Sequence, residues 1–197
     1  MRRKRKKRRR KQRPRRGGIR NKTSIHERPD ISDRQEFGHW EGDLIIGKDQ
    51  KSAMGTLVER SSRFTIIVPL KGSDSRTVVN AFKEAFQGIP KHLRKSLTYD
   101  QGSEMAEHER LSKSLNMAVF FADAGQPQQR GSNENVNGLI REYFPKKTNL
   151  NDYSHEEILK VQQIINSRPK RVLEYAMPKE IFSLAKNSPN LLLQEVI

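Results

Sequence analysis

An α/β fold, with a mixed five-stranded sheet flanked by helices, is what this 197-residue sequence predicts. Two observations carry the expectation. Three β-rich apolar runs follow one another through short connections, which reads as an antiparallel meander. After them, helical periodicity alternates with two more short apolar runs, which implies right-handed parallel crossovers.

The first run, Asp43-Leu44-Ile45-Ile46, is closed by Gly47. Residues 53–60 and 63–70 are the second and third, separated by Ser61-Ser62. Gly72-Ser73-Asp74 supplies a turn and a helix N-cap. Val78, Val79, Phe82 and Phe86 recur at helical spacing, so residues 75–87 form an amphipathic helix, stopped by Gly88 and Pro90. Residues 96–100 (SLTYD) are a fourth strand ending in Gln101-Gly102. Residues 104–115 read as a second helix with Leu111 and Leu115 inward, and Ala118–Phe121 as the fifth strand. The loop 123–132 leads into a helix from about Asn133, which Pro145 ends. Helices at 154–167 and near 178–186 close the chain. This element order is that of a ribonuclease H-like fold.

The charge is unevenly placed. The formal net charge is +16, from 39 Lys and Arg against 23 Asp and Glu. Residues 1–20 hold 14 of those bases and no acid, leaving 25 bases against 23 acids in the remainder. The chain thus divides into a disordered basic arm (1–20), an extended polar linker (21–37), an α/β core (38–145) and a helical extension (146–197). Like charges in a block repel, keep a segment unfolded and favour a polyanionic partner. No apolar run is long enough to span a membrane, and no apolar segment follows the basic start as in a signal peptide. The expected location is the cytoplasm. Cysteine is absent, which excludes disulfides and Cys-ligated zinc.

Three carboxylates stand out by position: Asp43 in the first strand, Asp100 closing the fourth, and Glu134 at the start of the helix after the fifth. Parallel neighbouring strands lie about 4.8 Å apart, so Asp43 and Asp100 can share the carboxyl end of the sheet, where open α/β sheets place their sites. Clustered acids raise one another's pKa unless a cation intervenes. All-oxygen donors suit Mg²⁺ or Mn²⁺. Two such ions can clamp an in-line phosphoryl transfer. Acids at strand ends and helix caps are also common as plain structure, and spacing alone leaves both readings open.

The strings around these acids narrow the choice. They are FGHWEGDLIIGK, SLTYDQGSEMAEH and QRGSNENVNGLIREYFPKKTNL, with 33 residues between Asp100 and Glu134. Together they resemble the DDE transposases of the insertion-sequence-thirty (IS-thirty) family, within the wider integrase catalytic core. The similarity runs from about Asn21 to about Phe182. It implies a ribonuclease H-like core that cuts and joins DNA with two Mg²⁺ or Mn²⁺ ions, held by Asp43, Asp100 and Glu134. It also implies DNA ends and target as partners, and a homo-oligomer on that DNA.

Arg130, Asn137 and Arg141 lie three, four or seven positions from Glu134, near one helix face, and are expected to face DNA, with Lys146 and Lys147 beyond them. Arg168, Lys170 and Arg171 can track its backbone, or be plain surface charge. His39, Trp40 and His108 are read as structural. Two departures from the family pattern motivate an alternative. Family members carry a helix-turn-helix region ahead of this core, whereas this sequence starts at the basic linker. The loop Gly125-Gln126-Pro127-Gln128-Gln129-Arg130-Gly131 lacks the family's His and Trp. The alternative is a truncated, non-transposing DNA-binding regulator.

Overall fold

The computed structural model describes residues 19–197. The basic arm, apart from its last two positions, lies outside them. Six strands form one mixed sheet: β1 (Thr23–Ser24), β2 (His39–Ile46), β3 (Ala53–Glu59), β4 (Thr65–Leu70), β5 (Ser96–Tyr99) and β6 (Ala118–Phe121). Their order across the sheet is β1-β6-β5-β2-β3-β4. β2, β3 and β4 are antiparallel, whereas β5 is parallel to both β2 and β6. Five helices flank the sheet: α1 (Ser75–Gln87), α2 (His108–Leu115), α3 (Gly131–Tyr143), α4 (His155–Asn166) and α5 (Pro178–Asn187).

The sixth strand corrects the expected count. Thr23 and Ser24 pair in parallel with Phe120 and Phe121. Ile31 and Phe37 are buried, and Arg28 Nη1 donates to Thr98 Oγ1 at 2.8 Å. Residues 21–37 are therefore built into the domain and are not a free linker. The reason is tertiary: a two-residue strand has no period of its own, and β6 supplies its partners.

Each sheet face has its own core. Trp40, Leu57, Phe82, Phe86, Leu97, Leu111 and Phe121 pack beneath α1, α2 and α5, joined by Ile181 and Phe182 from the C-terminal segment. Ile45, Met54, Val58 and Ile67 pack against Val136 and Ile140 of α3 and Ile158, Val161 and Ile165 of α4. Trp40 is fully buried, donates Nε1–H to the Leu93 carbonyl at 2.8 Å, and meets Phe86 and Phe182 edge-on. This geometry satisfies both the apolar ring and its one donor.

β4 is an edge strand, and α4 guards it. Asn166 Oδ1 accepts from Thr65 N–H, Asn166 Nδ2 donates to the Thr65 carbonyl, and Gln162 Oε1 accepts from Ile67 N–H, each at 2.8 Å. Pro69 sits on the same strand, a position where a missing donor costs no ladder bond.

His39 is structural, as expected. Its ring nitrogens lie 2.8 Å from Ser96 Oγ and 2.7 Å from Glu36 Oε2. Burial holds its imidazole below the usual 6.5, with Glu36 pulling the other way. The folded chain resists a proton that the unfolded chain accepts. This contribution to stability is present above pH 6.5 and is lost as pH falls through the lowered folded value. Urea unfolding should show lower stability at about pH 5.5 than at about pH 7.5, and His39→Gln should shrink that difference. An undiminished difference in the variant would assign the effect elsewhere.

Candidate active site

The site rests on a match of two periods. A strand advances about 6.6 Å in two residues, and a helix about 6 Å in four. α3 lies along β2, so Asn133 and Asn137, four apart on the helix, meet Glu41 and Asp43, two apart on the strand, and Arg141 reaches one residue further, to Ile46. Asn133 Nδ2 donates to the Glu41 carbonyl at 2.9 Å. Asn137 Nδ2 donates to Asp43 Oδ2 at 2.9 Å. Arg141 Nη2 donates to the Ile46 carbonyl at 2.7 Å. Asn133 also bonds β3, accepting from Thr56 Oγ1 at 3.0 Å.

Glu41 anchors the start of this register. It is fully buried. Its Oε2 accepts the backbone N–H groups of Ser132 and Asn133 at 2.9 and 3.0 Å. These are among the unpaired donors at the positive end of α3. Its Oε1 lies 3.1 Å from Arg60 Nε in an ion pair whose alignment falls short of a hydrogen bond. A carboxylate in the sheet thus caps a helix that follows it by some 90 residues.

Asp43 and Asp100 come together as expected. Asp43 is on β2, and Asp100 follows β5, its parallel neighbour. Arg130 spans the pair: Nη1 is 3.3 Å from Asp43 Oδ1 and Nη2 is 3.4 Å from Asp100 Oδ2. Arg130 also donates to the Gly42 carbonyl at 3.0 Å. Asp100 Oδ1 accepts from Gly102 N–H at 2.9 Å, which fixes the turn after β5. Burial pushes the Asp43 carboxyl above its ordinary range, and Arg130 and a backbone N–H offset that only in part.

Glu134 is placed differently. It is exposed on the first turn of α3 and makes no ion pair among the described residues. No group of three or more His, Asp or Glu residues is close enough to hold a metal among those residues. The fold therefore assembles an aspartate pair, with the third acid on the adjoining helical turn. The pair suits a hard divalent cation: its donors are all oxygen, and its two carboxylates already accept one shared cationic group.

Residues 33–127 match the family described as "Integrase core domain". The transposase InsI for insertion sequence element IS30A of Escherichia coli (strain K12) is 49% identical over 164 residues, which are 83% of this chain and 43% of that protein. The transposase for insertion sequence element IS1086 of Cupriavidus metallidurans is 42% identical over 176 residues, 89% of this chain and 52% of that protein. This chain carries an integrase catalytic core of the IS30 type. It spans about half the length of these two relatives.

Solved structures agree on the fold. The catalytic core domain of BIV integrase superposes with a TM-score of 0.58 at 16% identity, covering 76% of this chain and 96% of that one. A chain of the simian T-cell lymphotropic virus intasome in complex with PP2A regulatory subunit B56 gamma gives 0.54 at 18% identity, covering 67% of this chain and 49% of that one. The fold is the ribonuclease H-like fold of retroviral integrase cores.

Several positions in this integrase core differ from the DNA-facing expectation. Arg130 is turned inward onto the two aspartates, and Asn137 orients Asp43. Arg141 closes the end of β2, donating to the carbonyls of Ile46 and Phe144. The physical reason is helical phase. Asn133, Asn137 and Arg141 repeat every four residues and face the sheet, whereas Glu134 is rotated about 100° from Asn133, toward the rim. Lys146 and Lys147 are exposed, as a backbone-tracking role requires. His108 is buried and packs edge-on against Phe121, as a structural residue should.

Two further groups near the pair escaped the sequence reading. Glu104 follows Asp100 by four residues in a 3₁₀ turn. Burial and then the nearby Asp100 and Asp43 push its carboxyl up. The Tyr99 hydroxyl is buried and has no hydrogen-bond partner among the described residues. Burial, then Glu104, Asp43 and Asp100, push it well above the usual phenol value. The tyrosine ring lies over Gly42, where an added Cβ would come within 2.7 Å of Cδ2. Gly42→Ala should therefore destabilise the fold by about 1–3 kcal/mol, because a fully buried ring has nowhere to move. Urea unfolding measures the loss; an unchanged midpoint would mean that the ring yields.

Proposed function

We propose that this chain is the catalytic domain of a transposase that cuts and joins DNA at the Asp43–Asp100 pair. The reading is carried by one arrangement: two carboxylates from adjacent parallel strands converge on a single guanidinium at the carboxyl end of a ribonuclease H-like sheet. The curated relatives are named as transposases, and the integrase core family generally uses divalent metal ions. Asp43 and Asp100, with Glu134, would hold two Mg²⁺ or Mn²⁺ ions, which supply charge neutralisation at phosphoryl oxygens and acidify the attacking water.

The chemistry is two in-line displacements at phosphorus. In the first, water oxygen bonds to phosphorus and the bond to the 3′ oxygen breaks, leaving a 3′-hydroxyl and a 5′-phosphate. In the second, that hydroxyl attacks a target phosphodiester and displaces its 3′ oxygen. The residues of this chain contribute position. Asn137 fixes one oxygen of Asp43, the Gly102 turn fixes one oxygen of Asp100, and Glu41 and Asn133 set the helix that carries Glu134. Holding reacting groups in register lowers the barrier without a covalent enzyme intermediate. Partners in this reading are transposon ends and target DNA, bound by a homo-oligomer at the bacterial nucleoid. No helix among the described residues is long and apolar enough to cross a membrane.

The test uses the purified chain with a duplex bearing the element's terminal repeats and Mg²⁺. Strand cleavage and joined products are expected, and Asp100→Asn should remove both. Cleavage that survives Asp100→Asn or excess chelator overturns the proposal.

A further inference from the structure

A second, strongly basic feature lies at the N-terminal end of α3, beside the aspartate pair but lined by other residues. Arg34, Arg63, Lys170 and Arg171 surround a cleft of about 280 Å³ whose floor includes Gly131, Ser132 and Asn135. Among the described residues no carboxylate lines it. Arg63 Nη1 donates to Ser132 Oγ at 2.9 Å and also to the Arg60 carbonyl, so one guanidinium is fixed in the wall.

Three features mark it as built for an anion. Four cations gathered without a lining counter-charge repel one another, which the fold tolerates only at a cost. Burial first and then Arg34 lower Arg63 to about 10, with Glu41 and Glu59 pulling the other way. Burial, then Arg168 and Arg63, lower Lys170. The backbone is strained at the same place. Arg34 and Arg63 have φ of 58° and 61°, and Glu174 and Tyr175, closing the loop after Arg171, have 50° and 67°. Non-glycine residues in this region are uncommon, and such strain collects at functional sites.

We infer that this cleft binds a backbone phosphate of the DNA substrate, one helical turn from Glu134. A phosphodiester fits the chemistry because guanidinium forks match its oxygens. Free inorganic phosphate shares that chemistry. The inference rests on the reading of the chain as a DNA-acting core. It extends that reading by naming residues that position the strand and take no part in the chemistry.

The experiment measures binding of the full chain to a labelled duplex in EDTA, so no strand cleavage enters. Arg34→Gln with Arg171→Gln is compared with Lys113→Gln plus Lys186→Gln, two exposed lysines elsewhere that remove the same charge. The cleft pair should weaken binding about tenfold and lower the slope of log affinity against log salt by about two relative to the control. Equal effects from the two pairs overturn the inference. A second arm measures thermal unfolding with inorganic phosphate. Phosphate protection that the cleft pair loses, together with control-like DNA binding, assigns the cleft to a free anion and overturns the DNA assignment. Reduced binding by the cleft pair supports it whether or not the chain joins strands, so failure of the transposase reading is seen separately.

Discussion

Asp43→Asn is expected to lower strand cleavage and joining by roughly a thousandfold or more, while the folded chain keeps its stability. Groups aimed at developing charge in a closed site are typically worth two to three orders of magnitude each, and this carboxylate is half of the pair on which the site is built. Stability should respond differently. Burial raises the Asp43 carboxyl in the folded chain, so its charged form is a net cost near neutral pH: the stability it allows is complete below the ordinary carboxylate range and declines as pH rises through the raised value. An amide of the same shape removes the charge and still offers Asn137 an oxygen. Arg130 keeps Asp100 and the Gly42 carbonyl. The thermal midpoint should stay within about 4 °C of the parent, the equivalent of roughly 1 kcal/mol in a chain this size. Full activity in the variant, or a collapse of the fold, would each contradict the assignment of Asp43 to chemistry.

Glu41→Ala should do the reverse, damaging the fold first and activity through it. Removing one partner of a buried ion pair typically costs about 3–5 kcal/mol, because the other charge is left unpaired. Here Arg60 is stranded, and the N–H groups of Ser132 and Asn133 lose their acceptor in the same step. This is a large part of the stability of an ordinary domain, about 5–15 kcal/mol. Glu41→Gln keeps one oxygen for the two N–H groups and should be milder. Urea unfolding ranks the variants. Strand transfer at a temperature where both are folded shows whether α3 is still seated: a lower kcat at unchanged DNA affinity is expected for Glu41→Ala, with partial recovery in Glu41→Gln. If activity per folded molecule equals the parent in both, Glu41 supports the fold alone.

The contrast between Asp43 and Glu41 also shows what a sequence can carry. The strands and helices were legible because their apolar periods are strong and their stops are clear: Gly47 after β2, Gly88 and Pro90 after α1, Pro145 after α3. Asp43 and Asp100 were legible because neighbouring parallel strands bring their ends together whatever the loops do. Glu41 was not. It stands between Trp40 and Gly42 and looks like the polar half of an alternating strand. Only the docking of α3, far along the chain, turns that position into an interior one. The same docking moved Asn137 from an expected DNA-facing role to the side of Asp43. β1 was hidden because two residues hold no period, and the basic cleft because Arg34, Arg63 and Lys170 come together only through the tertiary fold.

The side-chain amides along β4 and the short strand beside β6 have a consequence for assembly. Open sheet edges are where chains add to one another, in swapped dimers and in fibrils alike. One edge here is taken by Thr23 and Ser24, and the backbone of the other is engaged by Gln162 and Asn166. In the reading proposed above, copies of this core on DNA would therefore meet through helices, loops and charged surfaces, and the sheet would stay within each copy.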